Sequence, residues 1–313
     1  MEHILSNFEA PITAFTEKDG LSLMSFFQAT HTGAFTEGNR IWYEVWPRVY
    51  FPFPYHNPLV MTPDRLQHLW KKGALILRYL SEEGEVGFPS YIMMVSDKEY
   101  GMKNVKHRSQ TRRGLDHCEV SPVSFETLLK TGMPLIADTL TRQERRCTGK
   151  IMRYWEDFFS NAGACPCIEA WGAFYRRELA SYLVSINYGA LAHVHMLFSR
   201  TDLLQYCPVN ALTFVFTCEA IRRPNVNHVS YGVRSIKGDK DTLNRFKRSM
   251  GFLTVRARER VEIHPCLKGI FDAGLARALA VTSEKFRGQS EFLGYVHGLL
   301  FTYLNQEPGT GNP

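Results

Sequence analysis

The sequence predicts an α/β fold of the α+β kind, with mixed, mainly antiparallel sheets flanked by helices. Three observations carry that expectation. Residues 167–175 and 179–188 alternate polar and apolar side chains, the pattern of half-buried strands. A helix-period segment at 209–222 is followed by a further strand-like run, so antiparallel hairpins are combined with a crossover. The length is 313 residues, 44% apolar and 22% charged, enough for two domains near about 150 residues or one larger one. Disordered chains, collagen and small disulfide scaffolds are excluded by that composition.

The elements follow in order. Leu179, Tyr182, Val184 and Ile186 stand next to Ser181, Ser185 and Asn187, which gives a strand two faces. Asn187-Tyr188-Gly189 supplies turn chemistry, because Asn and Gly tolerate the positive φ of a hairpin turn. A third strand is expected at 191–200. The helix at 209–222 presents Leu212, Val215 and Phe216 at i, i+3 and i+4, has Asn210 at the expected N-cap, and stops at Arg222-Arg223-Pro224. A fourth strand is expected at 228–235. Residues 241–251 read as a second helix, with Asp241 as N-cap, Leu243, Phe246 and Met250 on one face, and Gly251 as the left-handed residue that ends it. Residues 253–263 alternate again, with Val255, Ala257 and Val261 opposite Arg256, Arg258 and Arg260.

Upstream the pattern is less regular. Aromatic and basic residues mix at 42–51, which suits core or hairpin packing and also the lining of a pocket or a base-stacking wall. No repeat, low-complexity tract or Gly/Ser linker occurs, and the run 307–313, rich in Gly, Pro and Asn, is expected to fray.

The start of the chain lacks a basic segment followed by a continuous apolar one, so no secretory signal is expected. No apolar run approaches the roughly 20 residues of a membrane helix, and no membrane partner is expected. Seven cysteines, irregularly spaced, suit buried thiols in a reducing compartment, so the expected location is the cytoplasm. Cys165-x-Cys167 and His193-x-His195 would make a four-ligand zinc set only on adjacent strands. The one-residue cysteine spacing is shorter than structural zinc sites use, and no metal is expected. Net charge is +6, unevenly placed: between Arg234 and Arg260 nine Lys/Arg face three acids, and Lys103, Lys106, Arg108, Arg112 and Arg113 form a second cluster. Such concentrations favour anionic partners or form a solvated basic face.

Three stretches, Asn210-Ala-Leu-Thr-Phe214, Ser230-Tyr-Gly-Val233 and Asp241-Thr-Leu-Asn-Arg-Phe-Lys-Arg-Ser-Met-Gly-Phe252, carry a resemblance to the carboxyl-terminal half of GNAT-superfamily acyltransferases. Within that superfamily they resemble the Fem-type branch, where a Phe-Lys pair precedes a Phe-Gly or Met-Gly turn. Arg108–Leu115 and Thr141–Arg145 are similar to the basic helix of the first half of Fem-type proteins. The resemblance implies two GNAT-like units in tandem: a degenerate one at 1–160 and an acyltransferase one at 161–313, joined near Asn161–Cys165.

The resemblance further implies transfer of an acyl group from a thioester, acyl-CoA, to a small-molecule or peptide amine. Two alternatives stand beside it: an aminoacyl-tRNA donor, as Fem-type enzymes use, and a non-catalytic anion- or RNA-binding protein. The usual coenzyme A loop needs glycines whose bare backbone approaches the pyrophosphate, and 199–210 contains none. Ser199, Arg200 and Asn210 remain the candidate donor-binding positions, with Phe246 beside the motif lysine. Lys247 is the candidate for neutralising an anionic donor or acceptor. His195, Glu169 and Tyr231 are candidates for accepting the proton of the attacking amine.

Overall fold

The computed structural model describes residues 17–30, 33–38, 40–81, 86–235, 241–270 and 291–306. In chain order, helix α1 (Glu17–Thr30) leads into strands β1 (Ala34–Glu37), β2 (Arg40–Trp46) and β3 (Val49–Phe53). Helix α2 (Pro63–Lys71), β4 (Ile76–Ser81), β5 (Phe88–Val95), α3 (Arg108–His117) and β6 (Glu119–Pro122) follow. Next come the short α4 (Phe125–Thr127), α5 (Met133–Arg142) and α6 (Gly149–Ala162). The second half runs β7 (Ile168–Tyr175), β8 (Glu178–Tyr188), β9 (Leu191–Ser199), α7 (Pro208–Arg222), β10 (His228–Val233), α8 (Asp241–Ser249), β11 (Leu253–Ile263) and α9 (Pro265–Ile270). The helix Glu291–Leu304 is the last described element.

Two compact units are interleaved along the chain. One takes residues up to Thr30, Met94–Gly232 and Phe246–Leu253; the other takes His31–Met93, Val233–Arg245 and Thr254 onward. The boundary expected at 160/161 therefore falls inside the first unit, within α6. The basic helix α3, expected in an amino-terminal half, packs on α7 in that same unit. The reason is physical: a unit closes where side chains bury one another, and the chain leaves and re-enters each unit to complete it.

In the first unit β6, β7, β8 and β9 are successive antiparallel neighbours, and β10 pairs with β9 in parallel. Helix α7 is the crossover between β9 and β10, which a parallel pair requires. It covers one face, with Phe216 edge-on to Trp171 of β7. The other face is covered by α6, whose Trp155, Phe158 and Phe159 meet Phe198, His195 and Tyr182. Full burial of such aromatic side chains contributes about 1.5–3 kcal/mol each.

The second unit orders its strands β1-β2-β3-β4-β11 with β5 beside β11. Leu69 of α2 packs with Trp42, Leu77 and Tyr79, and Tyr295 and Leu299 of the last helix pack on Val49, Val261 and Ile263. Helix α2 begins as its sequence dictates: Pro63 occupies the first turn, and the Thr62 hydroxyl accepts the Arg65 N–H at 3.3 Å. Among the described residues no helix is long and apolar enough to cross a membrane.

The second-half elements agree with the sequence pattern to within a few residues, with three corrections. The N-cap of α7 is Cys207 in the left-handed conformation (φ 56°, ψ 40°) with Pro208 behind it, and Asn210 lies inside the helix, buried. Leu243 is 44% exposed and leaves the buried face of α8 to Phe246's neighbours Lys247 and Met250. The basic stretch 234–260 is not one solvated face, since Arg234 and Lys247 are buried while Arg248 and Arg256 are exposed. The Asp241 side chain, Lys237, Asp239, Lys240 and 307–313 lie outside the described residues.

Candidate functional site

The pairing of β9 with β10 is short. It holds at Leu191–His228, Ala192–Val229 and His193–Ser230, and from there Val194–Ser199 and Tyr231–Val233 are no longer paired with each other. The two parallel strands part here, at the strand ends that the crossover helix α7 connects. Tyr231 is the first residue of β10 past the last pair.

Lys247 reaches Tyr231 from α8. Its Nζ donates to the Tyr231 carbonyl at 2.6 Å and lies 4.7 Å from the centre of the Tyr231 ring. The lysine is 7% exposed. Burial, with no carboxylate paired to it among the described residues, pushes its amine down to about 8. Burial likewise holds the Tyr231 hydroxyl far above the usual phenol range, so it stays protonated.

A helix stop fixes this lysine. The Phe252 N–H donates to the Lys247 carbonyl and the Gly251 N–H to the Arg248 carbonyl, both at 3.1 Å, which is the paired bonding of a Schellman end. Gly251 takes φ +88°, and a Cβ there would lie 2.9 Å from the Asn104 carbonyl oxygen, so glycine is required twice over. The left-handed residue expected at 251 is thus in place.

The predicted site residues divide into two sets. Lys247, Tyr231, Phe246 and Asn210 come together: the Phe246 ring is edge-on to Tyr231 at 6.5 Å, and Asn210 Nδ2 contacts the buried Met250 Sδ at 3.6 Å. Met250 lies one turn beyond Lys247, so Asn210 packs against the end of the same helix.

The other set is engaged elsewhere. Glu169 receives both Arg223 guanidinium nitrogens (2.6 and 2.9 Å), Asn187 Nδ2 (2.9 Å) and the Trp171 indole N–H (3.1 Å). Burial works to raise its pKa, but the hydrogen bonds from Arg223 and Asn187 outweigh it and hold the carboxyl below its ordinary value. Its lone pairs are used, and its role is to tie the end of α7 to β7 and β8, which replaces the expected role as proton acceptor. His195 stacks in parallel on Phe158 at 5.6 Å, on the face that α6 covers. Ser199 is buried against α5, where its hydroxyl accepts from Arg142 at 2.9 Å and its N–H donates to Thr139 at 3.0 Å. Arg200 is held by Asp202 at 2.6 Å and Glu178 at 2.7 Å.

The coenzyme A loop meets a second obstacle besides the missing glycines. At the start of α7 the backbone of α3 is already in close approach: a Cβ on Gly114 would lie 2.5 Å from the Cys207 carbonyl oxygen and 2.9 Å from the Ala211 Cβ. Pro208 removes one amide of that first turn, and the Asn210 and Ala211 amides donate to Cys207. The residues present do not fit a pyrophosphate on this helix end. The zinc arrangement also lacks its premise, because β8 lies between β7 and β9. Among the described residues no group of three or more His, Cys, Asp or Glu is placed to hold a metal ion.

Sequence reasoning missed the Lys247–Tyr231 carbonyl contact and the Gly114 approach. Gly114 inside the basic helix was the available signal, since a mid-helix glycine without a packing reason costs about 1 kcal/mol.

No family model matches the chain, and no curated protein matches it in sequence. Solved structures do. The crystal structure of FemX superposes with a TM-score of 0.54 at 11% identity, over 80% of this chain and 92% of that one. The chain has the fold of FemX. The structure of L-PGS from Bacillus licheniformis matches with a TM-score of 0.53 at 14% identity, covering 80% and 92%. The C-terminal domain of a putative lysylphosphatidylglycerol synthetase from Agrobacterium fabrum matches with a TM-score of 0.51 at 9% identity, covering 79% and 92%. The Fem-type likeness read from 210–252 holds at the level of this FemX-like fold, with its mixed, mainly antiparallel strands and flanking helices.

Proposed function

We propose that the protein is a transferase that moves an aminoacyl group from the ester of an aminoacyl-tRNA to an amine, with Lys247 at the reacting centre. The observation that carries this reading is the buried Lys247, with no carboxylate paired to it among the described residues, near the point where β9 and β10 part. A buried cation without a paired carboxylate lowers stability, and groups perturbed in this way cluster at functional sites, where a cation suits chemistry that develops negative charge.

In this reaction a neutral amine attacks the ester carbonyl, the new C–N bond forms, and the bond between the carbonyl carbon and the ribose oxygen breaks. The proton released by the amine ends on the ribose oxygen. Between those events the carbonyl oxygen carries negative charge, and the Lys247 ammonium supplies donors to it in a low-dielectric setting. Tyr231 holds the lysine through its carbonyl and ring, and so positions it.

The donor follows from the start of α7. A coenzyme A pyrophosphate has no glycine turn there and meets α3 at Gly114, which argues against the thioester expected from the superfamily at large. A tRNA donor needs no such loop. It also suits the exposed side chains of Lys103, Lys106, Arg108, Arg112 and Arg113, a basic run along and just before α3.

The test is transfer from charged tRNA to a panel of small-molecule and peptide amines, run beside acetyl-CoA. Deacylation should depend on an amine, and Lys247→Met should slow it by at least about 100-fold, the loss that follows removal of one oxyanion donor. Stabilisation by acetyl-CoA alone would overturn the donor. Salt-sensitive tRNA binding without transfer would replace the enzyme by a binding protein.

A further inference from the structure

The second unit buries a cluster of charge that the proposed reaction does not use. On β11, whose outward residues are Arg256, Arg258 and Arg260, the inward face carries Glu259 among Val255, Ala257 and Val261. Glu259 is 1% exposed. Arg78 of β4 donates its Nε to Glu259 Oε1, and Ser90 of β5 donates to Oε2 at 3.4 Å. A second guanidinium, Arg234, is 9% exposed and stands 3.6 Å from the same Oε2, too far for a hydrogen bond. Two buried cations therefore share one buried anion.

The donors exceed the acceptors as well. Among the described residues Arg234 Nη1 is buried and makes no hydrogen bond, and the buried Tyr295 hydroxyl, beside Arg78 and Glu259, finds no acceptor for its proton. The guanidinium planes are held by aromatic rings, Arg78 at 4.7 Å from the Phe51 centroid and Arg234 at 4.5 Å from that of Phe88. The Arg234 carbonyl accepts from Arg78 Nη2 at 3.3 Å, which ties the two together. Stacking fixes the orientation of each fork without using its N–H groups.

A buried cation that must share its anion with a second cation is under-compensated, and an unmade buried hydrogen bond adds to that cost. The group that removes both defects carries negative charge and only accepts hydrogen bonds. We infer that the Arg234–Arg78–Tyr295 cluster of the second unit is a binding site for an oxyanion, the phosphate or carboxylate of a ligand, seated against Arg234 Nη1. The site stands on this unit alone and does not depend on the proposed transfer reaction.

The test is thermal unfolding of the full chain with inorganic phosphate and, separately, acetate, against sodium chloride at matched ionic strength. An anion at about ten times its dissociation constant should raise the midpoint by about 3 °C beyond chloride. The arm that responds at lower concentration names the source, phosphate ester or carboxylate. Arg234→Met keeps the stacking volume and removes the fork, so it should abolish the shift while leaving the midpoint in anion-free buffer equal or higher. Tyr295→Phe should weaken the response several-fold. Should Arg234→Met fail to fold, Arg234→Lys, which keeps the charge, should fold and respond less. Absence of any shift beyond chloride overturns the inference. So does a response to anions that Arg234→Met leaves unchanged, or an Arg234→Met midpoint that falls in anion-free buffer with no anion response in the parent.

Discussion

Lys247 and Glu169 lie in the same unit, the lysine buried and the glutamate half-buried, and their surroundings treat them in opposite ways. Glu169 accepts four hydrogen bonds from Arg223, Asn187 and Trp171 and is held ionised. Lys247 has a carbonyl and an aromatic face, no carboxylate among the described residues, and is pushed toward its neutral form. The first environment is built to keep a charge silent. The second leaves an amine that exchanges its proton near neutral pH, and that difference is what the role proposed for Lys247 rests on.

The strongest way to break this comparison is Glu169→Ala. It removes the acceptor of four hydrogen bonds and frees the end of α7, so chemical denaturation should show a loss of about 2 kcal/mol, solvent screening of the partly exposed Arg223 included. Transfer per folded molecule should survive. A stable but inactive Glu169→Ala would reverse the roles argued for the two residues.

Lys247→Met should act with the opposite sign. An amine lowered from about 10.5 to about 8 binds fewer protons in the folded state than in the unfolded one between those pH values. Wild-type stability therefore rises with pH across that window, and the cost of burying the cation is fully present below pH 8. The variant should be more stable by about 2 kcal/mol at pH 7, the cost less the lost hydrogen bond, with the gap closing toward pH 10. A gap independent of pH, measured by denaturation at pH 7, 8.5 and 10, would mean that burial does not shift this amine. If the ammonium is the active form, transfer should fall as pH rises through about 8.

Smaller effects sharpen the frame around the lysine. Gly251→Ala meets both the positive φ and the Asn104 carbonyl, and should lower stability by at least about 1 kcal/mol while loosening the helix end that holds Lys247. Leu243→Gln should change stability by less than about 0.5 kcal/mol, because the side chain is already exposed. A loss above 1 kcal/mol, seen in the same denaturation series, would place Leu243 back on a buried face.

Much of the second half was legible from local pattern. The alternation of 179–188, the Asn-Tyr-Gly turn, the crossover helix and the Gly251 stop each express a short-range rule, and each lies where its residues put it. Asn210 shows the limit. It is a good N-cap by type, yet Pro208 and a left-handed Cys207 start the helix one turn earlier, because α3 packs against that end through Gly114. Leu243 shows the same limit on α8, where apolar type and helical spacing did not decide which face was buried. Of the candidate site residues, Lys247, Tyr231, Phe246 and Asn210, named from the motif stretches, lie near one another. Glu169, His195, Ser199 and Arg200 had suitable chemistry but were already engaged by Arg223, Phe158, Arg142 and Asp202.

By itself the sequence determined the fold class, the order of the second-half elements and the Phe-Lys motif, because periodicity, capping and turn chemistry depend on neighbours within a few residues. Only the tertiary structure decided which charges are buried, which are paired, and how the chain divides into two interleaved units. Those properties depend on residues far apart in sequence, such as Glu259 with Arg78 or Lys247 with Tyr231, where desolvation and hydrogen bonding act together.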